Sequence, residues 1–461
     1  MDVYNLYIES LSPDGRGVAR IPLNKDKPLV VFVTHALPNQ TVKAQIVQRK
    51  SHFWEAECIA VENNAQSLPP ICQSHFQCGG CPLQCLAYPE QLNYKHKFLL
   101  AAFRQVGLDQ ESIQKVLEPI LPSPKLCGYR NKIEWAFALD KDNESMFLGQ
   151  RQAKSATVSK PKGCMLQDHR VIKLAQIIAE RASESSWLPY TLEKATSKTQ
   201  AQGFWRGLIL REGFIPDKEE RAFFAICVTS PATKSQAHFI QKMGQHLLQD
   251  NQDLACFIHE ERKSLDHNHQ GQLRRVSLGQ RLMELPLGGL RFRLDPAAFF
   301  QVNLGAAELI WQSIARYLPD SSATCLDLYC GVGAPGLLLA PHMHKLFGVE
   351  IDKRAIRACQ NNAKRFGLNN CEYIQGKASK VQLPKANLVL CDPPRQGLEP
   401  QTLNALLKMQ PRRIIYVSCN PQTLARDVKA FLTNYSITAI TPIDLFPHTA
   451  HLETVSILEK I

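Results

Sequence analysis

Four apolar runs, Thr324–Leu328, Lys345–Val349, Ala386–Leu390 and Arg413–Val417, alternate with segments of helical spacing. That alternation restricts the last third of the chain to a doubly wound, largely parallel α/β sheet, Rossmann-like in its winding, expected over residues 296–461. Such sheets bind ligands beyond the carboxyl ends of their strands, so chemistry is expected just after each run. Upstream the pattern is different. Residues 1–64 read as short strands and turns, with an alternating Val3–Glu9, a Ser12-Pro13-Asp14-Gly15 turn and β-rich Leu29–Val33 and Val42–Val47, as in a small OB-like β-barrel. Residues 65–295, opening at Leu68-Pro69-Pro70, read as a central α+β domain; its amphipathic segment at about 90–120 is expected to pack on the C-terminal domain.

The 461 residues hold 15 cysteines, an odd number. The start of the chain shows no basic stretch leading into an apolar run, and no apolar run reaches the ~18 residues of a membrane helix, so a cytoplasmic protein without a membrane partner is expected. Cytosolic thiols stay reduced, which turns attention from disulfides to metal and catalysis. Cys72-x5-Cys78-Gly79-Gly80-Cys81 gathers three thiols within ten residues, and soft thiolates suit an iron–sulfur cluster or zinc. Spacing leaves Cys85 and Cys164 as competing fourth ligands. The net charge of +12 favours a polyanionic partner. Between 125 and 173, ten Lys or Arg stand against five Asp or Glu, with Arg130, Lys132, Arg151, Lys154, Lys160 and Lys162 interleaved by Tyr129, Trp135 and Phe147, as on an RNA-facing surface or a strand edge guarded by lysines.

Asp327-Leu328-Tyr329-Cys330-Gly331-Val332-Gly333-Ala334-Pro335-Gly336 is a strand entering a glycine turn and then a helix, a pattern that takes NAD, FAD or S-adenosylmethionine. Glu350, at the end of the next run, stands where a carboxylate accepts hydrogen bonds from ribose hydroxyls. Cys391-Asp392-Pro393-Pro394-Arg395-Gln396-Gly397 and Val417-Ser418-Cys419-Asn420-Pro421 follow the last two runs. A Cys presented by a Pro-containing turn suits a nucleophile, and Glu453, in His448–Glu453, suits a general base.

Taken in order, these motifs, with Gly163-Cys164-Met165-Leu166 and Phe299-Phe300-Gln301-Val302-Asn303, resemble the bacterial RNA (uracil-5-)-methyltransferases. The resemblance is to the branch with a TRAM barrel and a [4Fe-4S] cluster that methylates 23S ribosomal RNA. It implies Cys72, Cys78, Cys81 and Cys164 as cluster ligands, leaving Cys85 spare. It implies Gln301, Tyr329, Glu350 and Asp392 around S-adenosylmethionine, Cys419 as nucleophile and Glu453 as base. The chain departs from the family pattern at Ala334 and Lys377, where relatives carry other cofactor-contacting residues.

The chemistry accounts for these residue types. Uracil C5 is a poor nucleophile until a thiolate adds to C6, and the C5 proton then needs a base. The target base must also leave the RNA stack. Rival readings are a tRNA 5-methyluridine methyltransferase, a non-catalytic RNA-binding or ribosome-assembly factor, and an iron–sulfur dinucleotide oxidoreductase, which leaves Cys419 and Glu453 without a role. A monomer with no obligate protein partner is the simplest expectation.

Overall fold

The computed structural model describes residues 2–22, 28–63, 67–140, 142, 145–152, 155–194, 199–318 and 321–461. Lys154 and the junction between residues 64 and 65 lie outside these described residues.

The C-terminal sheet has seven strands, in the order Cys371–Gln375, Lys345–Glu350, Thr324–Leu328, Leu388–Cys391, Arg413–Ser418, Glu453–Lys460, Tyr435–Ile443. The first five are parallel; the inner strands are covered by helices on both faces, which is why they read as apolar runs, whereas the edge strand Cys371–Gln375 is only part-buried and gives no such run. The strand order reverses between Thr324–Leu328 and Leu388–Cys391, and this switch point is where an open α/β sheet leaves a crevice. Glu453–Lys460 runs antiparallel to its neighbours, so it begins at the edge where the parallel strands end. Its register places Thr454 against Ser418. One residue beyond that pair, Glu453 lies close enough to Cys419 to act on its thiol.

The N-terminal six-stranded sheet is antiparallel apart from the pairing of Leu29–Thr34 with Phe53–Asn63, and it encloses Leu6, Ile8, Val31, Val33 and Val42. A nine-stranded central sheet packs the helices His169–Ser183 and Lys234–Asp250 against Ile133, Phe137, Leu208 and Phe257. The expected helical segment is two helices, Tyr88–Gln105 and Gln110–Val116. Leu99, Phe103 and Ile113 share a core with Leu326, Val389 and Val428 of the C-terminal sheet layer. Residues 117–121 then run along the edge strand Tyr435–Ile443, with the Glu118 and Leu121 amides donating to Ile440 and Pro442 at 2.9 Å. None of the described helices is long and apolar enough to cross a membrane.

Candidate active site

At the switch point the strand Thr324–Leu328 ends in Tyr329, whose φ of +60° begins a sharp turn through Gly331 (φ +55°) and Gly333 (φ +80°) into the helix Ala334–Leu339. Gln301, Tyr329, Gly331, Ala334, Asp392 and Trp311 line one cavity there. A Cβ on Gly331 would meet no atom within 4 Å, so the glycine leaves the backbone open for close approach of a ligand. Gly336 is glycine for the opposite reason: a Cβ there would lie 2.4 Å from Asp327 Oδ2. Burial, then the neighbouring Asp392 and Glu350, push Asp327 far above the usual carboxylate range.

Glu350 stands behind the turn instead of lining the cavity. Its Oε2 accepts from the Gly331 amide at 3.0 Å, and its Oε1 from the Ile351 and Asp352 amides at 2.7 and 2.8 Å. The carboxylate therefore buttresses the glycine turn, with the second lone pair of Oε2 left for another donor. Lys377, one of the departures from the family pattern, is committed to Glu399 at 2.7 Å.

Two loops carry the second cluster of groups. Asp427 Oδ2 accepts from the Leu398 amide and the Tyr416 hydroxyl, both at 2.7 Å, and a Cβ on Gly397 (φ +75°) would come within 2.5 Å of it. The Asp392–Gly397 turn is thus clamped from below. Asn420 caps the helix Pro421–Phe431 by accepting from the Gln422 amide at 3.1 Å, and it donates to the Arg395 carbonyl at 2.9 Å. Cys419 sits half-buried between the capping residue and the end of its strand. Burial, then Glu453 and Asp392, push its thiol up to about 11, against the pull of Arg395. Glu453 is 4 % exposed, and burial followed by Asp392 raises it well above its ordinary value. Cys419, Glu453, Asp392 and Arg395 thus act on one another's charge.

The loop before Glu453 is held from a distant part of the chain. Lys95 and Asp444, both fully buried, pair at 2.5 Å; the Tyr88 hydroxyl donates to Asp444 at 2.8 Å, and Lys95 donates to the Phe446 carbonyl at 3.0 Å. The Gln91 Oε1 accepts from the His448 amide at 2.8 Å, where His448 has φ +67°. Tyr88, Gln91 and Lys95 escaped the sequence reading, although their i, i+3, i+7 spacing continues into buried Leu99 and Ala102 and so marks a single polar-to-apolar helix face.

Cys72, Cys78, Cys81 and Cys164 ring a cavity of about 340 Å³ that Arg130, Arg395 and His451 also line. Burial, then Cys164, Cys78 and Cys72, push the Cys81 thiol up to about 12, and Cys164 is raised by burial and by Cys72 and Cys78. Cys85 is buried instead among Leu11, Leu37, Leu83 and Leu86. Among the described residues no three His, Cys, Asp or Glu side chains close on a point for a single metal ion. Part of the basic stretch is internally neutralised, with Lys132 on Glu134 at 2.7 Å and Lys160 on Asp140 at 2.9 Å.

A family model described as tRNA (Uracil-5-)-methyltransferase matches residues 377–461, and one described as Methyltransferase domain matches 325–410. An uncharacterized RNA methyltransferase of Nitratidesulfovibrio vulgaris is 32% identical over 98% of this chain and 95% of its own length. The chain belongs to the RNA (uracil-5-)-methyltransferase family. Another relative, an uncharacterized RNA methyltransferase of Gloeobacter violaceus, is 30% identical over 98% of this chain and 95% of its own. The tRNA (uracil-54, C5)-methyltransferase of Pyrococcus abyssi, solved with S-adenosyl-L-homocysteine, shares the fold, with a TM-score of 0.74 at 24% identity over 98% of this chain and 99% of that one. As a member of the family this protein is an enzyme that uses S-adenosylmethionine to methylate uracil C5 in RNA. The open backbone at Gly331 and the Asp392 carboxylate in one cavity fit a cationic, adenosine-bearing cofactor.

Proposed function

We propose that the enzyme methylates C5 of a uridine in 23S ribosomal RNA through a covalent adduct between Cys419 and uracil C6, with Glu453 as base. The observation that carries this reading is the antiparallel last strand, which brings the Glu453 carboxylate close enough to act on the Cys419 thiol near the switch-point cavity. Gln301, Tyr329 and Asp392 hold the cofactor from within that cavity, and Glu350 holds it by fixing the glycine turn. S-adenosylmethionine supplies the electrophilic methyl group. The Cys419 thiolate bonds to C6, and the C5=C6 electron pair moves toward O4 to give an enolate. C5 then bonds to the methyl carbon as that carbon's bond to sulfur breaks. Glu453 takes the C5 proton, the S–C6 bond breaks, and the C5=C6 double bond returns. Arg395 and the first turn of the helix Pro421–Phe431 favour the thiolate against the pull of Glu453 and Asp392.

In the same reading, Cys72, Cys78, Cys81 and Cys164 hold a [4Fe-4S] cluster. Support comes from the four thiols sharing one cavity, since a cluster spreads its ligands wider than a single ion does. It would tie residues 72–81 to Cys164 in a region of few regular elements. The TRAM-like barrel at 1–64, the cluster domain at 65–295 and the methyltransferase domain at 296–461 act together as a monomer on folded RNA. The pairing of barrel and four-cysteine cavity favours the ribosomal substrate. A tRNA substrate is the second reading, favoured by the description of the family model matched at 377–461. Incubation with S-adenosylmethionine and either RNA, followed by mass-spectrometric mapping of 5-methyluridine, decides between them. Product in 23S RNA alone supports the first reading, product in tRNA alone the second, and product in neither overturns both.

A further inference from the structure

A second cavity, of about 390 Å³, lies in the central sheet and takes no part in the site above. Arg151, Tyr190 and His267 line it, walled by Phe137, Pro189 and Leu192. Of its polar lining groups, Arg151 donates through Nη1 to the Ala156 carbonyl at 2.9 Å, while three other polar atoms lack partners. Among the described residues the buried Nε of Arg151, the hydroxyl of Tyr190 (4 % exposed) and Nδ1 of His267 meet no hydrogen-bond partner. The Arg206 guanidinium lies over the Tyr190 ring, 3.8 Å from its centre, and its nitrogens are taken by the carbonyls of Arg262 and Ser264 at 3.0 and 2.9 Å. The nearby carboxylate, Asp266, is held by Arg262 Nε at 2.7 Å and by the Asn268 amide at 3.0 Å, and it pairs with Arg206 at 3.5 Å. Burial and the Arg206 charge lower the pKa of Arg151, and no carboxylate among the described residues pairs with it. Arg151 thus brings to the cavity a guanidinium without a carboxylate partner among the described residues, beside unpaired Tyr190 and His267 atoms, and such an arrangement suits an anion.

The cavity's position says which anion. The strand Lys132–Leu139 passes both cavities: Ile133, Glu134 and Trp135 face the cysteine cavity, and Phe137, Ala138 and Leu139 the second. Gln150 and Arg151 divide in the same way on the neighbouring strand. From Glu134 to Ala138 is ~13 Å along the strand. Arg395 and His451, beside the proposed nucleophile, line the cysteine cavity, so the two strands tie the target-base site to Arg151. Exposed Leu139 and Leu188 form an apolar rim suited to a sugar or base.

We infer that Arg151, Tyr190 and His267 form a phosphodiester-binding pocket that grips the RNA strand flanking the target uridine. The inference rests on the RNA reading above. Arg151 donates through the guanidinium N–H groups that Ala156 leaves free, and the Tyr190 hydroxyl and a neutral His267 N–H add donors.

The test compares wild type and Arg151→Gln for binding of the RNA that wild type methylates, over a series of salt concentrations, with melting temperature as the folding control. Loss of one phosphate contact is expected to weaken binding about tenfold and to reduce the slope of log K against log salt by about 0.7–0.9. Arg151→Lys should restore the slope but only part of the affinity, and the affinity for S-adenosylmethionine should be unchanged in both variants. If Arg151→Gln does not fold, Tyr190→Phe should weaken binding about threefold with the slope intact. Unchanged affinity and slope in the folded variants overturn the pocket. Inorganic phosphate alone is the second probe: Arg151-dependent phosphate binding with unaltered RNA affinity marks a free-anion site and overturns the RNA assignment. Failure of wild type to methylate any RNA is a separate result, overturning the functional reading and this pocket with it.

Discussion

Cys419 and Glu453 are positioned by backbone pairing, yet their chemistry is set by a shared burden of negative charge. With the thiol pushed up to about 11, the thiolate fraction increases about tenfold per pH unit, and the Glu453 carboxylate also gains as pH rises. Activity limited by these groups should therefore climb by at least about tenfold per unit from about pH 6 to about pH 9 in kcat/KM. A flat profile would contradict that assignment. Cys419→Ala should lower turnover about 10,000-fold or more while S-adenosylmethionine binding, measured by calorimetry, persists.

Glu453 also bears on stability. A carboxyl whose folded pKa is raised keeps a proton that the unfolded chain has lost, so its stabilising contribution is full below about pH 4.3 and falls as pH rises toward the folded value. Glu453→Gln resembles the protonated acid and escapes that loss. Its melting temperature should gain on wild type between about pH 5 and about pH 8, by ~2–4 °C for each kcal/mol, while turnover falls about 100-fold or more. A pH-independent difference would show that Glu453 ionises as freely folded as unfolded. Glu350 is the residue whose placement sequence left incomplete: its position at a strand end was legible, but the three amides it accepts from depend on how tightly the glycine turn folds back.

Among the elements, the helix Tyr88–Gln105 governs the loop at 444–451 across more than three hundred residues of sequence. Such a contact leaves no local trace beyond the helix's own periodicity, so Lys95 and Asp444 were invisible as a pair. The alternating strands and glycine turn, by contrast, were readable because local spacing alone determines them. The direction of the last strand was not, although it brings Glu453 to the edge where the parallel strands end. Lys95→Met leaves Asp444 as an uncompensated buried charge and should cost about 3–5 kcal/mol in denaturant unfolding. The double change Lys95→Met with Asp444→Leu should recover most of that stability, since an apolar pair tolerates the same burial. Equal stability of the single variant and wild type would mean the pair is solvated in solution.

At the scale of the whole molecule, the loop residues Arg395 and His451 line the four-cysteine cavity and belong to the C-terminal sheet, with Arg395 Nη2 lying 3.0 Å from the His451 ring. If the thiols hold a cluster, anaerobically purified protein should carry about four irons per chain, and Cys164→Ser should lose them along with RNA affinity. Full iron content in Cys164→Ser would exclude that residue as a ligand. The motifs were legible because each is compact in sequence; their convergence across the central and C-terminal sheets was not, since it depends on packing between distant segments.

The central claim is the bond from Cys419 to uracil C6, and RNA carrying 5-fluorouridine tests it most directly. Fluorine at C5 does not leave as a proton, so the reaction should halt with enzyme and methylated RNA joined, seen as a slow band on a denaturing gel with wild type and missing with Cys419→Ala. A band of equal intensity in Cys419→Ala, or methylation of natural RNA with no band from the fluorinated one, would contradict the account.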